Sequence, residues 1–579
     1  MGPGHNMGDM QPVVAPENLP APIRMEGIGN SHIAIKSSPE AQAWFDQGLS
    51  LLHDFWEYES EKAFEQAIRI DPNCAMCYLG LAEAEDVRSN GEHYYFNRAL
   101  QQAVRLKGKA GDAGKLYIEA LDAQTQAKDG NNTQEVAILR KLVKKYPQDT
   151  QARIFLAEAL RDGYDDKGEP KTGQKEAIAI LESVMRDAPN DSAAHHYWIH
   201  AVESSNHPEN ALRSAALLAS LAPTSGHMVH MPGHIYFRVG NYAEAERWFA
   251  ASTAADEKYM HDQHVGVDDD WNYVHNMMYG IANLMEQGKL DAASALSDRL
   301  AGARGQLSAT LYIWSARDAM ARISHRLPVA LRTADWNAVL TLLDQANLPE
   351  SEKTANLRFL AAELSDYAAG MKALDANDTA AAQAASDRLD AGLWRLSHER
   401  AEKDAEEAKK KSSGSDKSAA SQKKDEPPTQ PVQPDANAEP LTKAMSIASI
   451  ELRAGILAAQ GKLDAAKKLY ASAELEEKNV GYREPPFYIR PVGENEAAAL
   501  IKAKDYAGAK TAYEAALAER PNSGFGLYGI AHVKELLGDA AGAREAYQAF
   551  LKAWPAADAA LPEVAHARKV LGTESLAAR

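Results

Sequence analysis

The chain has 579 residues, of which 45% are hydrophobic and 25% are charged, and its formal net charge at pH 7 is −18. This length exceeds what a single hydrophobic core can organise, so several domains or a repeat array are required. The negative charge argues against broad binding to nucleic acid or to an anionic membrane surface. The sequence contains no run of about eighteen apolar residues, so no membrane span is predicted.

The N-terminal segment 1–36 is rich in Pro, Gly and Asn and has no hydrophobic period, which predicts a flexible arm. It lacks a charged region followed by an apolar region, as a signal peptide would have. We therefore expect a cytoplasmic protein, or a periplasmic or secreted one if a signal peptide has been removed.

The sequence contains two cysteines, Cys74 and Cys77, which excludes a disulfide framework. They flank a predicted helix start after Asp71-Pro72. No βαβ pattern surrounds them, which argues against a thioredoxin-type redox site. A packing role is favoured over binding of a soft metal.

From Ser38 onward a two-helix pattern recurs along the chain. In the first unit Gly48 lies in the first helix, Ala63, Phe64 and Ala67 lie in the second, and Pro72 closes the unit. The layout returns in units that carry Gly240, Ala245, Phe249 and Ala250; Gly461, Ala466 and Tyr470; Ala509, Tyr513, Ala516 and Pro521; and Gly538, Ala543, Tyr547 and Pro555. Each helix pair has too little apolar surface to be stable alone, so neighbouring pairs must stack.

These units resemble tetratricopeptide repeats. The resemblance implies an all-α protein, an α-solenoid of stacked antiparallel helix pairs in a right-handed superhelix, with a concave binding groove. The stretches HHYWIHAVE and GHMVHMPGHIYFRVGNYAEA also resemble a bacterial branch of tetratricopeptide proteins with a histidine-bearing core. A repeat fold does not specify a reaction, and none is implied here.

Composition divides the chain into five parts. We predict an arm over 1–36, a first repeat array over 37–300, a helical repeat region over 301–398, a disordered charged and Pro-rich segment over 399–440, and a second array over 441–579. Within the helical repeat region, Trp314, Trp336 and Trp394 are predicted to anchor packing.

Several histidines recur with the period of the repeat. His196 and His230 are 34 residues apart, and so are His200 and His234. This spacing equals the length of a tetratricopeptide unit, so the four side chains should occupy equivalent positions in adjacent first helices. His195 should instead face the partner helix and have a structural role.

Two more histidines join this register. His227 lies one turn before His230, and alignment through Gly288 gives His275 the position equivalent to His227. We therefore predict that six imidazoles from three successive first helices converge on one patch of the groove. They are His196, His200, His227, His230, His234 and His275.

A transition metal is the ligand that this cluster predicts. Histidines at i and i+4 on a helix bind zinc in known motifs, and helices about 8–10 Å apart allow imidazoles from both to reach one ion. Imidazole suits copper, zinc and iron, and nearby methionines favour copper slightly, with iron less favoured. Possible additional ligands are Glu158, His264 and Asp268. The alternatives are a polar groove for an acidic or peptide ligand, and simple packing.

The predicted function is that of a metal-binding solenoid, acting as a copper- or zinc-dependent oxidoreductase or hydrolase on a small or peptide substrate. The alternatives are a scaffold that binds partner peptides without a metal, and a metal carrier without turnover. In the segment 482–491, YREPPFYIRP, Arg483, Tyr488 and Arg490 are candidate residues for binding an anionic substrate.

Overall fold

The computed structural model describes residues 10–12, 14–88, 94–127, 130–165, 167–303, 315–351, 354–412, 429–431 and 436–572. These residues contain 26 α-helices and one antiparallel pair of three-residue strands, so the predicted all-α class is confirmed. None of the described helices combines the length and apolar composition that a membrane crossing requires.

The chain divides into two compact units. Unit 1 comprises Met1–Val239, Arg247–Asn276 and Gln422–Val432, and unit 2 comprises Gly240–Glu246, Met277–Ser421 and Gln433–Arg579. Each unit is described separately below.

Unit 1 holds eleven complete helices, most of a twelfth and the start of a thirteenth. They are α1 (Pro39–His53), α2 (Glu57–Ile70), α3 (Ala75–Arg88), α4 (Tyr94–Leu106), α5 (Gly111–Thr125), α6 (Thr133–Lys145), α7 (Thr150–Leu160), α8 (Thr172–Asp187), α9 (Ser192–Val202), α10 (Leu212–Leu221), α11 (Gly226–Arg238), α12 (Tyr242–Gln263) and α13 (Trp271–Glu286). The two strands, β1 (Met10–Pro12) and β2 (Thr429–Pro431), pair with Met10 opposite Pro431.

Unit 2 contains the remaining helices. They are α14 (Leu290–Ala303), α15 (Ala316–Ile323), α16 (Leu327–Arg332), α17 (Trp336–Asp344), α18 (Ala355–Asp375), α19 (Thr379–Ser412), α20 (Ala438–Ala459), α21 (Leu463–Asn479), α22 (Val492–Lys502), α23 (Tyr506–Glu519), α24 (Gly524–Leu536), α25 (Ala540–Ala553) and α26 (Pro562–Leu571). Helix α19 continues into the segment 399–440 that is predicted to be disordered, whereas 413–428 and 432–435 lie outside the described residues.

Small residues let neighbouring helices cross closely, as the repeat pattern predicts. A Cβ on Gly48 of α1 would lie 2.9 Å from the Phe64 ring of α2, and one on Gly80 of α3 would lie 2.2 Å from the same ring. Phe64 therefore fills the space between α1 and α3 and is fully buried. Ser38 begins the array as predicted, since its hydroxyl accepts a hydrogen bond from the Ala41 amide at the start of α1.

Part of the N-terminal segment lies against unit 1. Ile28 and Ile33 are buried in the same hydrophobic core as α1 and α2. The Asn30 amide nitrogen donates to the Asn190 carbonyl at 2.9 Å, and its amide oxygen accepts from the Ser192 backbone at 3.1 Å. This part of the predicted arm therefore packs against the helices of unit 1 and contacts the start of α9.

The structure corrects the predictions made for the cysteines and for one of the tryptophans. Cys74 and Cys77 are buried, as a packing role requires, but they are also joined by a disulfide that the sequence did not predict. Trp336 is buried as expected. Trp394 is 60% exposed, so its prediction as a packing anchor is wrong. Trp314 lies outside the described residues.

Gly233 of α11 provides a test of the close helix crossing. A Cβ at this position would lie 2.4 Å from the Phe249 ring, so we expect Gly233→Ala to lower the free energy of unfolding by about 1–3 kcal/mol through overpacking. Urea denaturation of the full-length protein measures this loss. Gly266→Ala is the control, because a Cβ there meets no atom within 4 Å. Equal effects of the two substitutions would contradict the packing argument.

Candidate metal centre

Three helices of unit 1 carry the clustered histidines. Helix α9 bears His196 and His200, α11 bears His227, His230 and His234, and α13 bears His275. Side-chain caps mark the start of the first two helices, since Asp191 accepts from the Ala194 amide and Ser225 accepts from the Met228 amide. Residues three and four apart lie on one face of a helix. The histidine-bearing faces of α9 and α11 lie opposite each other.

The first triad consists of His196, His200 and His227. The Nε2 atom of His196 lies 3.1 Å from Nε2 of His200 and 3.2 Å from Nε2 of His227. Two nitrogens that bind one tetrahedral zinc ion at about 2.05 Å lie about 3.3 Å apart. The observed separations are close to that value, so the three ring nitrogens surround a point where a metal ion fits.

The second triad consists of His230, His234 and His275. The Nε2 atoms of His230 and His234 are 2.5 Å apart, and the His275 ring centre lies 4.8 Å from the His230 ring centre and 5.9 Å from that of His234. One ring nitrogen from each residue lies within 4.8 Å of the others. The structure therefore brings all six predicted histidines together, but as two groups of three.

Glu203 joins the two triads. Its Oε1 atom lies 2.6 Å from Nδ1 of His200, and its Oε2 atom lies 3.0 Å from Nδ1 of His234. Each imidazole can donate its Nδ1 proton to the carboxylate, which leaves Nε2 as the nitrogen with a lone pair. One buried carboxylate thus orients a histidine in each triad.

Two asparagines of α13 orient one further histidine each. Oδ1 of Asn276 lies 2.6 Å from Nδ1 of His230, and Oδ1 of Asn272 lies 3.3 Å from Nδ1 of His227. The amide groups cannot turn freely, because the NH₂ of Asn276 donates to the Phe249 carbonyl and that of Asn272 donates to a carboxylate oxygen of Asp256. Both oxygens therefore accept the Nδ1 proton of their histidine.

These contacts determine which nitrogen carries the proton. The Nδ1 atom of His196 donates to the His53 carbonyl at 2.6 Å, so five of the six imidazoles have Nδ1 next to an acceptor. Their Nε2 lone pairs then face one another within each triad. Lone pairs this close repel unless a cation lies between them, which is the arrangement that a metal ion stabilises.

Aromatic rings enclose the triads. The Phe55 ring stacks on His200 and His227 with ring centres 5.5 and 5.3 Å away. The Trp271 ring lies 5.1 Å from that of His227. Phe55 has a left-handed φ of 56°, unusual for a side chain of this size, and the Trp271 indole N–H donates to its carbonyl at 2.8 Å. The rings limit the access of water to the first triad.

Burial favours the neutral form of five of these imidazoles. It lowers the pKa of His196, His227 and His230 well below the usual value, and neighbouring imidazoles lower it further. Burial also lowers the pKa of His275 to about 3. Neutral imidazole is the form that binds a metal.

At Glu203, contacts with histidines have a larger effect on the pKa than burial. Burial alone would raise its pKa, but the contacts with His200 and His234 outweigh burial and hold the pKa well below its usual value. A charged carboxylate therefore lies between the triads, and a bound cation would compensate its charge.

The other histidine of α9 lies outside both triads, as the sequence predicts. Nδ1 of His195 is 2.9 Å from the Ser214 hydroxyl of α10, and Nε2 is 2.9 Å from the Pro189 carbonyl. Both ring nitrogens therefore have structural partners.

Two of the additional ligands proposed from sequence, Glu158 and His264, lie outside the two groups of three histidines. Glu158 accepts from Arg161 at 2.8 Å, and His264 lies in the loop after α12 with a left-handed φ of 54°. Neither belongs to the two groups of converging ring nitrogens. The side chain of Asp268 lies outside the described residues.

The candidate substrate-binding residues belong to unit 2, whereas the triads belong to unit 1. Tyr488 and Arg490 line a small cavity whose walls include Trp336 and Met445. Arg483 is exposed and donates to the carbonyl of Tyr482. Their assignment to the same site as the histidines stays a prediction.

Glu451 of unit 2 is buried and accepts a hydrogen bond from the Tyr488 hydroxyl. Burial raises the pKa of Glu451 to about 7, although hydrogen bonds from Tyr488, Asn495 and Tyr367 oppose the shift. An unfolded Glu titrates near pH 4.3, so the folded state binds more protons between about pH 4.3 and 7. The free energy of unfolding therefore falls as pH rises through this range, by up to about 3 kcal/mol from this group.

We expect Glu451→Gln to reduce this pH dependence. Urea denaturation at pH 5 and at pH 7.5 should show a smaller decrease in the stability of the variant than of the wild type. Glu514→Gln is the control, because Glu514 is exposed and paired with Lys510. A variant with the wild-type pH dependence would show that Glu451 is ionised throughout.

Sequence reasoning did not identify Asn272, Asn276 or Phe55. Asn276 is adjacent to His275 in sequence, and Asn272 lies about one turn before His275. Their role as partners of histidines is recognisable only once the packing of α13 against α11 is known. Phe55 contacts histidines more than 140 residues away, and no local pattern indicates this. Glu203 lies three residues after His200, a spacing that places two side chains on the same side of a helix.

Comparisons with known proteins address the repeats. The family model described as tetratricopeptide repeat matches residues 41–74, which include most of α1 and all of α2, and a second model of the same description matches residues 113–149. No curated protein matches the chain at a significant level.

Solved structures with similarity to the chain include three helical proteins. The human IFIT1 dimer with m7Gppp-AAAA has a TM-score of 0.34 and 13% identity, over 89% of this chain and 97% of that chain. Yeast Tom70 has a TM-score of 0.26 and 12% identity, over 93% and 96%. The APC/C hetero-tetramer Cut9-Hcn1 has a TM-score of 0.28 and 12% identity, over 93% and 78%. The two family matches show that the chain contains tetratricopeptide repeats, at residues 41–74 and 113–149.

Proposed function

We propose that unit 1 binds two divalent transition-metal ions of the copper or zinc class, one in each histidine triad. His196, His200 and His227 hold the first ion, and His230, His234 and His275 hold the second. Glu203 orients a ligand of each site and couples the two.

One observation carries this proposal: Nδ1 of five histidines meets an acceptor, so that Nε2 points toward the centre of its triad. Histidines that are solvated, or that only fill space in a core, do not require Nδ1 to face an acceptor and Nε2 to face a common point. Metal-binding histidines almost always have a partner on their second ring nitrogen, usually a carboxylate, a carbonyl or water. Unit 1 provides a carboxylate, a backbone carbonyl and two amide carbonyls for this purpose.

The number of ligands favours a reactive centre over a closed structural one. Structural zinc sites are saturated by four protein ligands, whereas catalytic sites keep three and leave one position open. An ion held by three imidazoles supplies a Lewis acid or an activated water. We therefore propose a metalloenzyme of the oxidoreductase or hydrolase class, in which Phe55 and Trp271 limit water at the first triad.

A second function follows from the repeat fold, because tetratricopeptide proteins generally bind protein or peptide partners. In this alternative the protein is a scaffold and the histidines make polar contacts with a peptide. A third function, that of a metal carrier, keeps the ions but lacks turnover.

Titration of the metal-free protein with Co²⁺ tests the proposal. We expect visible d–d absorption from ions bound by imidazole nitrogen, with a tightly bound class that is saturated at two equivalents. His207→Ala is the control variant, because the His207 side chain is exposed and pairs with the exposed Glu209. A protein that binds no Co²⁺ tightly would leave the scaffold as the better account. Turnover assays of the loaded protein then distinguish an enzyme from a carrier.

A further inference from the structure

A third group of metal-ligating side chains lies near the C-terminal end of unit 2. His532 and Glu535 lie one turn apart on α24, and His566 lies on α26. One ligand atom from each of the three residues lies within 4.8 Å of the others. The chain thus brings two imidazoles and a carboxylate together from helices about thirty residues apart in sequence, in a part of the protein that the proposed function does not use.

The distances fit one coordinated ion. Nε2 of His566 is 3.0 Å from Oε2 of Glu535, and Nδ1 of His532 is 3.6 Å from the same oxygen. These values lie on either side of the separation of about 3.3 Å expected for two ligands of a tetrahedral ion. Only a small movement of each side chain is needed to bind zinc.

One ligand atom of this group lacks a hydrogen bond. Nδ1 of His532 is buried and has no hydrogen-bond partner within the described part of the chain. Because a buried polar atom without a partner is costly, the structure favours a ligand at this position. Oε2 of Glu535 lies 3.6 Å from this nitrogen, beyond hydrogen-bond distance.

Tyrosines hold the other two ligands in place. The Tyr547 hydroxyl donates to Oε2 of Glu535 at 2.6 Å, and the Tyr528 hydroxyl lies 3.3 Å from Nδ1 of His566. These contacts fix the carboxylate and the second imidazole from outside the group, as partners of metal ligands commonly do.

The group is accessible to solvent, unlike the triads of unit 1. Side-chain exposure is 29% for His532, 33% for His566 and 38% for Glu535. Ions and water can reach it without opening a hydrophobic core. We propose that His532, Glu535 and His566 form a separate, exchangeable site for one divalent transition ion, completed by water.

Zn²⁺ titration of the metal-free full-length protein against a chromophoric chelator tests this site. We expect a weaker third equivalent in addition to the two ions of unit 1. Loss of an outer-shell partner alone costs 10–100-fold in affinity, so replacing a ligand should weaken the third equivalent by at least about tenfold. His566→Asn and Glu535→Gln should each do so. His261→Asn is the control, since this exposed histidine pairs with a single carboxylate, that of Asp262.

Retention of the third equivalent in both His566→Asn and Glu535→Gln would overturn the proposal. If circular dichroism shows that His566→Asn is misfolded, His532→Asn replaces it, because the Nδ1 atom of His532 has no hydrogen bond to lose. The site is independent of the proposed function. A protein with both triads removed should still bind one Zn²⁺ here. A variant that lacks this site should still bind two ions in unit 1.

Discussion

Replacing His230 and His234 together by Ala should halve the number of tightly bound metal ions. Both residues belong to the second triad, and their removal leaves His275 as its only imidazole, which is too few ligands for tight binding. The first triad shares no histidine with the second, so its ion should remain. Metal analysis after exhaustive dialysis should give a ratio of one ion per chain, compared with two in the wild type.

The converse variant, His196→Ala with His200→Ala, should also retain one ion, this time in the second triad. The pair of variants distinguishes two sites from a single shared one. Loss of both ions in either variant, with the helical content unchanged, would show that the six imidazoles form one centre. Retention of both ions in either variant would show that the triad changed in that variant does not bind a metal ion. His230→Asn with His234→Asn, which preserves polarity, replaces the alanine pair if that pair misfolds.

Glu203→Gln should weaken metal binding in both triads at once. The carboxylate accepts from Nδ1 of His200 and of His234, whereas a glutamine has one acceptor oxygen and an NH₂ group that cannot accept. At least one histidine must then change its tautomer or orientation. Loss of such outer-shell partners typically lowers metal affinity about 10–100-fold.

Competition with a chelator measures this effect at each site. Glu209→Gln is the matched control, because Glu209 pairs with the exposed His207 instead of a triad. We expect the control to bind both ions with wild-type affinity. If Glu203→Gln also does so, then Glu203 does not orient the ligands and the proposed coupling between the two sites is wrong.

The register of the repeats made most of the site predictable. The 34-residue offsets from His196 to His230 and from His200 to His234 require equivalent positions on adjacent helices, and this alone identifies four of the six histidines. The same logic identified the close helix crossings, because small residues such as Gly48 face an aromatic residue of the next helix. Periodicity in the sequence therefore predicts equivalent helix positions and close helix crossings.

The division into two triads was not predictable. It depends on how α11 and α13 lie relative to each other at the scale of one ångström, which no spacing in sequence specifies. The same holds for Asn272 and Asn276, whose oxygens contact histidines 45 and 46 residues away. The exposure of Trp394 was missed because apolar character alone does not specify which face of α19 is covered.

The most direct test of the account is X-ray absorption spectroscopy of the protein loaded with two equivalents of zinc or copper. We predict a shell of nitrogen or oxygen atoms at about 2.0 Å with the multiple scattering of about three imidazoles per ion, and no sulfur ligand. A spectrum with a sulfur shell, or with oxygen ligands and no imidazole scattering, would contradict the assignment of the two histidine triads as the metal centre.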